Sequence, residues 1–300
     1  MMSDSIEAKA KNYKTTQYII KVMMVAFFIL VSLSVIYPMI YVVSGAVTPG
    51  NSIADMEPKP FSKGVTFEHF KYLFFKSDYG LWFLNTLKIA VATSVITMVI
   101  TSLSAYIFSR FRFTIKQPLL MSLLILQVFP SFVGMIAIYV ILLRIGGLDT
   151  LWGLVLVYVA GNIPYNVWMV KSYIDTIPRS LDEAARIDGA SHFRIWATIV
   201  MPVAKPIITF LGITTFTGPW MDFVFPKMVL RSVNKQTLAL GLFSFVTDKK
   251  NDFTTFAAGS LIIAIPFVIF FIFGQKAMMK AWVAAPSKSR TGQGALRLKP

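Results

Sequence analysis

Apolar residues in this chain gather in long blocks, separated by shorter stretches that carry most of the charge. A helix needs roughly 20 mostly apolar residues to cross the hydrocarbon of a bilayer, since each residue adds about 1.5 Å. Blocks of that kind occupy residues 22–43, 89–108, 118–143, 151–170, 206–225 and 253–273. They predict an all-α polytopic membrane protein with six transmembrane helices. The fifth block is the weakest, because Asp222 interrupts its end and Thr, Gly and Pro recur within it. The blocks divide the chain into an N-terminal segment (1–21), a membrane domain (22–284) and a polar tail (285–300). Lys9, Lys11, Lys14 and Lys21 precede the first block as they would in a signal peptide. The block is too long for that reading and no small-residue cleavage site follows it, so it is expected to stay uncleaved.

Several blocks contain helix breakers: Pro130, Pro164 and Pro266, with Asn162 and Asn166 on either side of the second. Proline removes a backbone donor and crowds the preceding turn. In lipid the freed carbonyl needs a partner, which places such sites against protein or a wet cavity. Each proline reads either as a packing kink or as a bend lining a translocation path. The second reading is strongest at Asn162, Pro164 and Asn166, where two amides accompany the ring.

Composition supports lipid as the solvent. Of 300 residues, 56% are hydrophobic and only 14% charged, against roughly 25% charged in soluble domains. The chain has no cysteine, which excludes disulfides and thiolate metal sites. A formal net charge of +15 raises nucleic-acid binding, but the basic residues sit between apolar blocks rather than in one polar domain. They report orientation instead. Arg110, Arg112 and Lys116 follow the second block, and Lys276, Lys280, Lys288, Arg290, Arg297 and Lys299 follow the sixth, with no acid among them. The positive-inside rule then places both termini and segment 174–206 in the cytoplasm. Asp222 at the edge of the fifth block reads as solvated or paired with Lys227. Trp220 and Tyr165 read as interface anchors.

The polar segment 177–206 is patterned. Ser180 followed by Glu183 fits a capping box, predicting a short helix over 181–188 that ends at Gly189. Ser191 is placed to cap a second helix over 192–200, with Phe193, Trp196, Ile199 and Val200 as its apolar face and Met201–Pro202 as its end. Glu183-Ala184-Ala185, then Gly189, then Ile199-Val200-Met201-Pro202 resembles the EAA loop of ABC importer permeases, departing from that pattern only at Met201, where leucine is usual. Length, six spans and Phe256-Ala257-Ala258-Gly259 leading into an apolar helix resemble the carbohydrate-uptake branch of that family. Within it the likeness is to the smaller permease of maltose/maltodextrin transporters.

The resemblance implies an importer-type ABC permease fold. Glu183, Ala184, Ala185, Asp188, Gly189, Ile199, Met201 and Pro202 would form the coupling-helix loop between helices 4 and 5, docked in a cleft of a separate ATPase. It implies a second permease subunit as heterodimer partner, two ABC ATPase subunits holding the ATP and Mg, and an extracytoplasmic sugar-binding protein. The stretch 231–252, with Arg231, Thr237, Leu238 and Gly241, resembles the loop that meets that binding protein; the plain alternative is a solvated connector. The chain itself is expected to have no catalytic residue, metal or bound cofactor. Its only histidines, His69 and His192, share no ligand spacing, and no G-x-x-x-x-G-K loop is present. The expected cargo is maltose, maltodextrin or a related oligosaccharide. Another small solute such as glycerol phosphate is the alternative, and an ion-driven secondary transporter the more distant rival.

Overall fold

The computed structural model describes residues 2–55, 59–128, 131–247 and 251–284. Pro130 and the tail 285–300 lie outside them. The chain divides into two compact units, residues 1–75 with 245–261, and residues 76–244 with 262–300.

In the first unit, α1 (Met2–Val47) carries the first apolar block on a helix that runs without interruption through Pro38. The most apolar 18-residue window of its Thr16–Val47 stretch has a mean hydropathy of 2.7 and no buried residue, whereas Ser44 and Ala46 near the end of the helix are buried. A helix apolar all round and unburied by its own chain is built to face lipid or another helix. Beyond it, α2 (Glu68–Lys76) is amphipathic and buries His69 and Leu73. The His69 Nε2 lies 2.9 Å from the Thr48 carbonyl oxygen, and its Nδ1 is 3.4 Å from the hydroxyls of Thr254 and Thr255.

The second unit is built on α3 (Tyr79–Arg110). It is followed by α4 (Lys116–Val128), α5 (Ser131–Arg144) and α6 (Leu151–Asp175). Next come three short pieces, α7 (Ser180–Ile187), α8 (His192–Ile195) and α9 (Met201–Val203). Then come α10 (Lys205–Met221), α11 (Val224–Val229), α12 (Leu238–Thr247) and α13 (Phe253–Ala284), of which residues 245–247 and 253–261 belong to the first unit. Here α3 packs against α6 and α10 along a face of small and hydroxyl side chains, with Ala90, Thr93, Thr97, Thr101 and Ala105 all buried. Small residues let helix backbones approach closely where no hydrophobic effect drives them together. The Ser94 hydroxyl donates to the Gly212 carbonyl across this seam at 2.9 Å. Two apolar clusters close it, one around Tyr106, Ile174, Ile195 and Val200, the other around Ile89, Leu142, Leu154 and Val229.

The helices differ from the expected blocks mainly at their ends. The second block begins at Tyr79 and the fourth runs on to Asp175, because amphipathic turns extend each helix beyond its apolar run. The third block is two helices, α4 and α5, rather than one. The fifth stops at Met221, where Asp222 is extended; Pro226 has no N–H to offer the Asp222 carbonyl, and a separate turn, α11, follows. Pro164 and Pro266 sit inside uninterrupted helices. Among the described residues four helices are long and apolar enough to cross a membrane, or six if each bent pair is one span. The fold is thus an all-α polytopic membrane architecture.

Candidate functional site

The patterned segment between α6 and α10 forms an elbow. Helix α7 starts one residue earlier than the capping box requires. Arg179 already has helical angles (φ −66°, ψ −24°), and no side chain caps the helix. A capping serine needs extended backbone; Ser180 is inside the first turn, so the box does not form. The C-terminus follows expectation. Gly189 has φ +81°, its N–H donates to the Arg186 carbonyl at 3.0 Å, and the Ala190 N–H reaches the Ala185 carbonyl at 2.9 Å. These paired bonds close a helix on a left-handed residue. Ser191 then caps α8, accepting from the Arg194 N–H at 3.3 Å.

The second helix does not stop at Met201–Pro202. It widens into a π turn over Trp196–Val200, the Met201 N–H bonding the Trp196 carbonyl, and continues through α9 to a break at Ala204. Pro202 has no N–H and its ring crowds the carbonyl of Thr198, four residues back; a wider turn relieves both. At Ala204 the chain bends by 83° into α10.

Burial divides the Glu183-Ala184-Ala185 motif. Ala185 packs into the Tyr106–Ile195 cluster, while Glu183 and Ala184 are exposed, as are Asp188 and Gly189. Ile199 and Met201 are half-buried and Pro202 is exposed. Ile195, not Phe193, supplies the buried apolar anchor of α8. Ile187 and Phe193 instead stand 88% and 67% exposed.

Beneath the elbow lies an ionic clamp. Arg110, the last residue of α3, places Nε 2.6 Å from Asp182 Oδ2, with the two side chains only 6% and 12% exposed. The same guanidinium donates to the Ile177 carbonyl at 3.1 Å. Ser109 donates to Asp175 at 2.6 Å, Lys171 meets the other oxygen of Asp175 at 2.6 Å, and Arg179 donates to the Ser109 carbonyl at 3.0 Å. The ends of α3 and α6 are thereby tied to α7. From sequence, Arg110 counted only toward orientation, and no local signal set Asp182 apart from the exposed acid beside it, Glu183.

At the opposite end of α3 and α6 a second polar knot organises residues 230–238. Asp149, at φ +54° in the α5–α6 turn, accepts the backbone N–H groups of Arg231 and Ser232 at 3.0 and 2.9 Å. It also accepts the Ser232 hydroxyl, and Lys235 lies 3.3 Å from its carboxylate. The Ser232 hydroxyl and backbone, then Arg231 and Lys235, hold the Asp149 carboxyl well below the usual carboxylate range. Arg231 donates to the Tyr139 hydroxyl at 2.7 Å. Asn85 donates to the carbonyls of Asn234 and Gln236, both at 3.0 Å, and Thr86 accepts the Leu238 N–H at 2.8 Å. Of the residues expected on a docking loop, Arg231 is exposed, whereas Thr237, Leu238 and Gly241 are buried; Leu238 and Gly241 belong to a helix, α12, with Gly241 against the Trp82 indole. Thr237 and Leu238 face inward because the Asn85 and Thr86 bonds draw this strand of chain onto α3.

Asn162, Pro164 and Asn166 do not converge. Asn162 donates to the Tyr158 carbonyl and Asn166 to the Asn162 carbonyl, each at 2.7 Å. These amides return to their own helix. Asn162 alone borders a cavity of about 460 Å³ with Tyr158, Gly161 and Phe225. Asp222 is half-buried and bound to the Tyr158 hydroxyl and the Phe225 N–H, not to Lys227. Among the described residues no three His, Asp or Glu side chains group as metal ligands.

Comparison with known proteins adds the following likenesses. A family model described as the binding-protein-dependent transport system inner membrane component matches residues 97–278. The chain is 38% identical over 278 residues to the maltodextrin transport system permease protein MdxG of Bacillus subtilis (strain 168), covering 92% of this chain and 99% of that protein. It is 38% identical to the galactooligosaccharides transport system permease protein GanQ of the same organism, over 85% of this chain and 90% of that one. A crystal structure of a bacterial ABC transporter involved in the import of the acidic polysaccharide alginate matches with a TM-score of 0.73 at 21% identity, covering 87% of this chain and 97% of that chain.

Proposed function

The chain belongs to the family of binding-protein-dependent transport system inner membrane components, and we propose that, as the permease subunit of an ABC-type carbohydrate importer, it carries maltodextrins. The observation that bears most weight is the match to MdxG over 99% of that protein's length, which includes the elbow segment. The equal identity to GanQ makes a galactooligosaccharide the second reading.

In this reading six segments cross the membrane: Thr16–Val47, α3, the α4–α5 pair, α6, α10 and α13. Both termini and the elbow face the cytoplasm, in keeping with the basic connections that flank them. The elbow meets one of two ATPase subunits, which bind the ATP and Mg and perform the hydrolysis. Exposed Glu183 and Ala184 offer a charge and a close backbone approach. Ile187 and Phe193, apolar and exposed among the described residues, suit a partner's apolar cleft better than water. The Asp149-bound loop faces outward, where Arg231 and Val233 stand exposed to an extracytoplasmic sugar-binding protein. A second permease subunit completes the path.

Reconstitution with the partner permease, ATPase and binding protein tests this. Maltotriose should stimulate ATP hydrolysis and enter the vesicles in an ATP-dependent way. Stimulation by galactotriose alone shifts the cargo to the second reading; uptake driven by an ion gradient without ATPase sinks both.

A further inference from the structure

We propose that α3 is a rigid link between the two faces of this permease, with Arg110 and Asn85 as positioning residues at its ends. The elbow is joined through the backbone to α6 and α10, but not to α3. The Arg110–Asp182 pair supplies the buried ionic part of that missing connection, beside the Arg179 bond to the Ser109 carbonyl and the apolar cluster of Tyr106 with Ala185 and Ile195. The pair is desolvated, and Asp182 Oδ1 has no hydrogen-bond partner among the described residues, so the carboxylate depends on Arg110. A buried ion pair adds little net stability over an apolar pair of similar volume, yet separating it strands two charges away from water. Separating α7 from α3 is therefore costly, and the two are expected to move together.

The other end of the same helix is equally committed. Asn85 holds the carbonyls of Asn234 and Gln236, and Thr86 holds the Leu238 N–H. Asn85 and Arg110 lie roughly 38 Å apart along the axis at 1.5 Å per residue. Helix α3 is unbroken over that length, with no internal proline. A displacement of α7 thus reaches the 230–238 loop through one stiff element, without passing through the bends of α4–α5 or the elbow. This rests on the reading of the elbow as the ATPase-coupling segment.

The chain has no cysteine, so Val233→Cys gives one reporter on the exposed loop. In the assembled transporter in vesicles, its labelling by a membrane-impermeant maleimide is timed with and without ATP, Mg and vanadate. Copurification of the ATPase checks assembly of each variant. The nucleotide should change the labelling rate by roughly fivefold or more, the low end of typical coupling between distant sites. The volume-conserving pair Arg110→Met with Asp182→Leu should abolish that response. The charge swap Arg110→Asp with Asp182→Arg should restore part of it, and Asn85→Ala should lose it at the far end. A response that persists in the Met/Leu pair overturns the link. A response that survives Glu183→Lys overturns the coupling reading and the link with it; loss there but not in the Met/Leu pair condemns the link alone.

Discussion

The Tyr158 hydroxyl donates to Asp222 Oδ2 at 2.8 Å, so a side chain from within α6 is bound to the carboxylate that ends α10. The other oxygen of that carboxylate accepts the Phe225 N–H at 3.2 Å and starts α11. Removing the phenol hydroxyl leaves a half-buried anion short of a donor, which costs roughly 1–3 kcal/mol. Tyr158→Phe should therefore lower the thermal unfolding midpoint of the detergent-solubilised chain. Tyr165→Phe, at an exposed position, should leave it unchanged. Equal midpoints for the two variants would refute this role.

A Cβ on Gly241 would collide with the Trp82 indole, the contact that lays α12 on α3. Overpacking of this kind costs typically 1–3 kcal/mol. Gly241→Ala should destabilise by about that amount, and Trp82→Leu made in the same chain should recover part of the loss. A double-mutant cycle on thermal unfolding reads the interaction; additive effects would show that the two residues do not press on each other.

Gly189 has open space where a side chain would go, so the cost of substitution there lies in its left-handed backbone alone. That conformation costs a non-glycine L-residue roughly 1–2 kcal/mol, and asparagine tolerates it best. ATP-driven uptake should fall in the order Gly189, Asn, Ala, Val, while the protein remains in the membrane. Valine performing as well as asparagine would remove the backbone explanation.

Asp149 carries a pH signature of defined sign. Its carboxyl is held below the usual range by Ser232, Arg231 and Lys235, so the folded state favours the anion. The stabilisation is complete above the ordinary aspartate value of about 3.9. It fades as pH falls from there toward the depressed folded value. Loop 231–235 should loosen over that acid window, read as lower hydrogen-exchange protection factors at the Arg231 and Ser232 amides, and Asp149→Asn should show the low protection at neutral pH. Protection that is the same in the variant at pH 7 would exclude the carboxylate as the anchor.

How far the sequence carried depended on the kind of constraint. Apolar blocks reported which stretches are helical, because hydrocarbon demands long runs of one solvent character. They missed the first turns of α3, where Tyr79, Trp82 and Asn85 are buried by packing rather than by hydropathy. Gly189 and Ser191 were legible because a left-handed terminus and an extended cap each favour few residue types. Ser180 misled, since the same Ser-x-x-Glu spacing arises when the helix has already begun at Arg179. The Arg110–Asp182 and Asp149–Ser232 pairs join distant segments; nothing local distinguishes those charges from ones that only set orientation. Thr237, Leu238 and Gly241 looked like a polar loop and are buried, because their partners Thr86 and Trp82 lie far away along the chain.

The 83° corner at Ala204 stands between Pro202 and Pro206. A straight helix through it would need the Pro206 N–H that does not exist, aimed at the carbonyl of Pro202, and would cost about 3 kcal/mol or more. The corner accordingly resists straightening by about that amount. A stroke weaker than this, applied there by a partner, tilts or slides the attached helix as a body and leaves the corner bent.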